Sequence, residues 1–125
     1  MVFAGLSLAK YIQQSPSLLR VIKPVANAYA NATGYRQVGL KYDDLIVEEN
    51  PRVQKALKRL TERESYDRAY RLKQASHLSV LHRELPKDQW TPVGEDKRYL
   101  TPLIDEIAAE ESERAAWDTA SVEKK

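Results

Sequence analysis

The chain has 125 residues, with 20 Lys and Arg against 18 Asp and Glu and no cysteine. A domain of that size buries about two-thirds of the surface its unfolded chain exposes, enough for one modest core and too little for a two-lobed enzyme with a cleft between halves. Lack of thiols excludes disulfides, thiolate zinc sites, Cys-ligated iron–sulfur clusters and a Cys nucleophile, and the longest run without a charged side chain, Pro24 to Tyr35, is twelve residues, short of the roughly 18 to 20 apolar residues that span a bilayer.

The formal net charge of +2 averages three different segments. Residues 1–40 carry Lys10, Arg20, Lys23 and Arg36 and no acid; residues 41–100 carry 13 cations and 11 acids; residues 101–125 carry 3 and 7. An acid-free, Ser- and Ala-containing start fits a mitochondrial address except for its shortage of Arg, whereas Lys10 and Gln13-Gln14 interrupt any secretory apolar core.

In chain order, Ala4, Leu8, Tyr11 and Ile12 predict a short amphipathic helix, and Leu18, Leu19 and Ile22 a second one, opened by Ser15-Pro16 and broken or kinked at Pro24. Val25 to Thr33 can continue it to Gly34 as the residue that ends the helix. From Gly34 to Asn50 the periodicity fails, predicting an ordered loop with a short helix near Asp43 to Ile46. Asn50-Pro51 then opens a helix whose Val53, Ala56, Leu57 and Leu60 share a face, and Thr101-Pro102 opens another carrying Leu103, Ile107, Glu110, Arg114 and Trp117. Between them, the capping box Thr61 to Glu64 starts a long helix ending at Pro86, with Tyr66, Ala69, Tyr70, Lys73, His77, Val80 and Leu81 on one face. A rod of roughly 36 Å in so small a chain either meets a partner or leaves one face solvated. The fold class is therefore all-α: a small helical single domain over 1–125 with one long helix at about 62–85, short N-terminal helices and ordered connecting loops. Residues 1–14 form an amphipathic N-terminal segment and 118–125 a frayed tail.

Most reaction chemistry finds no support. His77 and His82 sit five apart on the long helix, about 140° apart in azimuth, and cannot chelate one metal. Asp43-Asp44 and Glu48-Glu49 resemble an acid/base pair, but adjacent loop acids serve more often as caps or Arg partners, and no apolar pocket is evident to perturb them. The four glycines form no phosphate cradle and no serine stands in a nucleophile elbow. Lys55, Lys58, Arg59, Arg63, Arg68, Arg71 and Lys73, interleaved with Tyr66 and Tyr70, leave two readings: an ion-paired helix surface, or a small basic RNA-binding or ribosome-associated protein. The acid-free N-terminal segment also suits an anionic lipid surface.

The run Pro24-Val25-Ala26-Asn27, then GYRQVGLKYDDLIVEENPRVQKALKRL from Gly34 to Leu60, ESYDRAYRLKQA from Glu64 to Ala75, Leu85-Pro86, Trp90, Asp96 and Tyr99-Leu100-Thr101-Pro102 resemble, in order, subunit 7 of the mitochondrial cytochrome bc1 complex, the family of small ubiquinol-cytochrome c reductase binding proteins, with fungal members nearest. The resemblance covers roughly residues 15 to 108. It implies a noncatalytic, all-helical accessory subunit of respiratory complex III, peripheral on the matrix side of the mitochondrial inner membrane, supporting electron transport from ubiquinol to cytochrome c through assembly and stability. Its implied partners are cytochrome b, the core subunits, subunit 8 and inner-membrane lipid headgroups, with no nucleic acid, in a hetero-oligomer within a dimeric complex. No cofactor is expected on this chain, since the haems and the iron–sulfur cluster belong to other subunits, and no catalytic residue or metal ligand is expected either. The partner interface is expected to draw on Leu8, Tyr11, Ile12, Tyr35, Leu40, Tyr42, Asp43, Asp44, Arg68 and Arg71.

Overall fold

A computed structural model describes residues 8–121; the first seven residues of the expected 1–14 segment and the last four of the expected 118–125 tail lie outside them. Among the described residues the structure is helices and connecting loops without strands: α1 (Ala9–Gln14), α2 (Pro16–Ala32), α3 (Pro51–Arg59), α4 (Glu62–Val80) and α5 (Thr101–Asp118), with short 3-10 turns at Tyr35–Val38, Tyr42–Leu45 and Lys87–Gln89. The chain divides into two compact units, Met1–Gly34 and Tyr35–Lys125.

In the first unit α1 packs on α2, with Ile12, Leu19 and Ile22 half-buried. Ser15 stands at the N-cap of α2 with Pro16 after it, yet its hydroxyl makes no capping bond. Pro24 does not break α2, which runs through it to Ala32. At about 100° per residue, Pro24 shares the side of the helix with Arg20, Asn27 and Asn31, so the carbonyl that loses its partner faces the polar side. The helix closes as the sequence predicts: Thr33 is the C-cap, Gly34 adopts φ 79°, and its N–H donates to the Asn31 carbonyl at 3.4 Å.

The second unit holds the core. Val53 and Ala56 of α3 meet Leu100 and Ile107 of the α5 region, flanked by Ile46, Leu57, Leu60, Tyr99, Leu103 and Ile104. Asn50 caps α3 by accepting from the Arg52 N–H at 2.9 Å, and Thr61 and Glu64 form the predicted reciprocal capping box on α4. Gly39, at φ 80°, turns the chain where a side chain would crowd Leu85 Cδ1 at 3.1 Å and Gln74 Oε1 at 3.2 Å. The turn at 35–38 is fastened to the 85–91 loop by the Leu85 N–H on the Gln37 carbonyl and the Thr91 N–H on the Arg36 carbonyl, while the Trp90 indole N–H closes that loop on the Leu85 carbonyl at 2.8 Å.

Three further expectations change, all in the second unit. The long helix stops at Val80 rather than near Leu85, because His82 takes φ 50° and the Arg83 and His82 N–H groups cap the carbonyls of Leu78 and Ser79, a left-handed helix stop that Pro86 has no part in. Helix α4 is also rotated from the apolar phase: Tyr66 (69% exposed), Tyr70 (67%) and Val80 (78%) face outward. Arg68 is buried instead, and Arg71, Leu72, Ala75 and Leu78 are half-buried. Finally, Thr101 is the first residue of α5, not its cap; Leu100 holds the cap position without a side-chain bond.

Candidate functional site

The acidic pair Asp43-Asp44 sits in the 42–45 turn, and the two side chains do different work. Asp43 is fully buried. Its Oδ2 accepts the backbone N–H groups of Leu100 and Thr101, both at 2.8 Å, and its Oδ1 accepts the Thr101 hydroxyl at 2.7 Å. A carboxylate from a distant turn thus satisfies the open donors of the α5 first turn and complements the positive end of that helix dipole. This is why neither Leu100 nor Thr101 needs to cap α5 itself.

Asp44 points to α4. Arg71 grips it bidentately, Nε to Oδ2 at 2.7 Å and Nη2 to Oδ1 at 2.9 Å; the Lys41 N–H donates to Oδ2 at 2.9 Å; and Arg68 Nη1 reaches Oδ1 at 3.3 Å. The Tyr99 hydroxyl donates to Asp44 Oδ1 at 2.5 Å while accepting from Arg68 Nη1 at 2.8 Å. Arg68 Nη2 completes the set on Glu48 Oε1 at 2.6 Å. Burial pushes the Asp44 carboxyl up, but the hydrogen bonds from Arg71, Tyr99 and the Lys41 backbone outweigh it and hold the group below the usual carboxylate range. Burial, then the bond to Asp44, pushes the Tyr99 phenol up to about 12. Arg68 and Arg71, three apart on α4, share the face turned to these acids, which explains the rotation of that helix: an unpaired buried carboxylate would cost more than two tyrosines left in water.

A second cluster surrounds Asp96. Its Oδ2 accepts the Tyr35 hydroxyl at 2.6 Å and Arg36 Nη2 at 2.8 Å, and its Oδ1 accepts the Tyr42 N–H at 2.8 Å. Burial raises the Asp96 carboxyl, and the donors from Tyr35, Tyr42 and Arg36 bring it below its ordinary value. Tyr42 is clasped from the other side by the Arg98 guanidinium, 4.1 Å from its ring centroid. Among the described residues no buried side-chain nitrogen or oxygen lacks a partner, and no group of three or more His, Asp or Glu side chains is arranged to hold a metal.

Of the expected interface residues, Tyr35, Leu40, Asp43, Asp44 and Arg68 lie inside the second unit, Arg71 is half-buried against Asp44, and Tyr42 remains 44% exposed. Apart from Tyr42, their place is the internal frame of that unit rather than its surface. Leu8 and Tyr11 in the first unit are exposed and Ile12 is half-buried. Sequence reasoning passed over Arg36, Asp96, Tyr99 and Thr101 as members of the frame; the only signal was their place in the separated blocks that carry the family resemblance, because their partners lie 31 to 61 residues away.

A frame of this kind serves to hold one shape. The family model described as the ubiquinol-cytochrome c reductase complex 14 kDa subunit matches residues 16–115 of the chain. The chain belongs to that family. It is similar to cytochrome b-c1 complex subunit 7 of Neurospora crassa, 52% identical over 118 residues that cover 94% of this chain and 96% of the relative. The Saccharomyces cerevisiae mitochondrial subunit 7 is 45% identical over 117 residues, 94% and 92% of the two chains, and the Kluyveromyces lactis subunit 46% identical over 121 residues, 94% and 95%. These homologues are an accessory subunit of respiratory complex III, and the all-helical structure agrees with the expectation drawn from the resemblance. No helix among the described residues is long and apolar enough to cross a membrane.

Proposed function

We propose that this chain is a noncatalytic assembly and stability subunit of respiratory complex III, held peripherally on the matrix side of the mitochondrial inner membrane. There it packs against the matrix-facing part of cytochrome b, with the core subunits, subunit 8 and inner-membrane lipid headgroups as further neighbours in a dimeric complex. Covering exposed surface of cytochrome b favours the assembled state by mass action, so quinol oxidation depends on this chain indirectly. The haems and the iron–sulfur cluster belong to the other subunits.

The observation that carries this reading is the closed polar frame. Asp43, Asp44 and Asp96 place both oxygens on internal donors, and Asp44 and Asp96 are held below the ordinary carboxylate range, the opposite of a group tuned to take a proton near neutrality. The same pairing weakens the RNA-binding alternative. Four of the seven cations in the 55–73 strip, Lys55, Arg59, Arg68 and Arg71, are hydrogen-bonded to carboxylates of the chain, leaving three to neutralise phosphates freely.

The test is copurification. Haem b absorbance is expected to follow a tagged copy of this chain through a mild-detergent preparation of mitochondria. Absence of haem b from the tagged fraction, together with RNA binding that weakens steeply with salt, would replace the assembly reading by the nucleic-acid one.

A further inference from the structure

We infer that helix α2 is a surface for anionic lipid: its outward apolar row enters the headgroup and acyl boundary of a bilayer while the cations of the acid-free segment around it hold it to the phosphates. The inference rests on the peripheral membrane placement proposed above and names the face that makes the contact. Leu18 (45% exposed), Val21 (67%), Val25 (65%) and Tyr29 (73%) stand uncovered on α2 among the described residues. At about 100° per residue they fall within an arc of roughly 80°, and the row is about 17 Å long. Arg20, Lys23, Asn27 and Asn31 occupy the opposite arc, the division expected of a helix lying in a membrane interface rather than crossing it. No residue of α2 is buried.

Three observations favour lipid over a protein groove as the occupant. Residues 1–34 hold three cations, Lys10, Arg20 and Lys23, and no Asp or Glu, so nothing in the segment repels a surface of uniform negative charge, which an anionic leaflet presents at every lateral position. Pro24 leaves the Arg20 carbonyl without its helical partner, and both residues lie on the polar side, so the freed carbonyl faces water and headgroups rather than hydrocarbon. Tyr29 closes the row with an aromatic ring whose hydroxyl can stay in the headgroup layer. A short row with a few cations binds reversibly when alone, and membership in a membrane complex supplies the second anchor.

The experiment is vesicle flotation of the full-length chain on phosphatidylcholine vesicles with and without roughly one-third phosphatidylglycerol. The wild-type chain is expected to float with the anionic vesicles and not with the neutral ones, and to be released by high salt. Val21→Ala/Val25→Ala, which keeps good helix formers and is checked by circular dichroism, should lower the partition several-fold. Arg20→Gln/Lys23→Gln should lower it roughly tenfold or more on anionic vesicles alone. Equal flotation of the wild type and both variants, or no flotation of the wild type on anionic vesicles, overturns the inference. So does a row variant that floats normally but no longer carries haem b, since the row would then be a protein-docking face. A wild-type chain that floats yet never copurifies with haem b defeats the complex III placement and leaves the lipid surface standing.

Discussion

Asp43 sits 57 residues before the N–H of Leu100 that it accepts, and the α5 first turn depends on it. Asp43→Ala strands two backbone donors and the Thr101 hydroxyl in a buried site, so urea unfolding should show a loss of about 3 kcal/mol or more, with Asp43→Asn, which keeps one oxygen, losing about 1 kcal/mol. Equal losses for the two would mean that volume rather than hydrogen bonding matters there. Asp44 and Asp96 set the acid limit. Both are held below their ordinary values, so each contributes stability above the unfolded carboxylate pKa of about 3.9 and loses it as pH falls through its folded value. Stability should therefore stay level from neutrality to about pH 5 and fall below about pH 4, with Asp44→Asn flattening that limb in a pH series of urea midpoints. Tyr99 acts at the other end. Its phenol is pushed up to about 12, so the neutral form stabilises the fold fully below the unfolded value of about 10, and that contribution disappears as pH rises from there through about 12. Tyr99→Phe should reduce this alkaline decline, leaving the part due to Tyr35, whose phenol is also raised by burial and its bond to Asp96.

The elements differ in what ends and what joins them. Helix α4 stops because His82 adopts φ 50°, a conformation that costs an L residue about 1–2 kcal/mol. His82→Gly should raise stability by about 0.5–1 kcal/mol after the extra freedom of glycine in the unfolded chain is subtracted, and His82→Val should lower it; both are read from thermal midpoints. The α3–α5 pair is joined by two unlike interactions. Ile107 is buried against Val53 and Ala56, while Arg52 and Lys55 reach Glu111 at 2.7 Å across an open flank. Ile107→Ala should cost about 2–5 kcal/mol, against less than about 1 kcal/mol for Glu111→Gln, and only the latter difference should vanish in high salt. The exposed Tyr66, Tyr70 and Val80 face of α4 follows from the same ordering of energies: the charged partners of Arg68 and Arg71 decide which way the helix turns, and the tyrosines take the side that remains.

For the whole molecule, the core and the polar frame lie between Tyr35 and Glu111, and the first unit, which carries no acid, precedes them in the chain. We expect removal of residues 1–12 to weaken copurification with cytochrome b, read as haem b absorbance per tagged chain, while circular dichroism of the remainder stays helical. Unchanged haem b recovery and quinol oxidation would show that the N-terminal segment makes no contact the complex depends on. The loop from Tyr35 to Asp44, expected from its glycines to be ordered, is ordered by its own chemistry: Gly39 turns it, Asp96 anchors Tyr35 and Arg36, and Asp43 and Asp44 tie it to α5 and α4.

Helix content, most helix starts, the α3 core face and the family were all readable from local residues, because capping, proline placement and 3.6-residue periodicity act within one or two turns. Asn50, the Thr61–Glu64 box and Gly34 behave as their types require. Tertiary structure decided what local rules could not reach: that Asp43 rather than Thr101 satisfies the α5 terminus, that His82 rather than Pro86 stops α4, and that Arg68 faces inward while Tyr66 and Tyr70 face out. At the α5 terminus and on α4 a group distant in sequence supplied the partner, and on α4 the cost of a buried unpaired charge exceeded the gain from burying the apolar stripe; the α4 stop is local, but it uses a left-handed conformation at a histidine, which residue type does not announce. The +2 net charge and the acid-free start were fixed by composition; that the acids at 44 and 96 are neutralised internally by Arg36, Arg68 and Arg71 was decided by the fold.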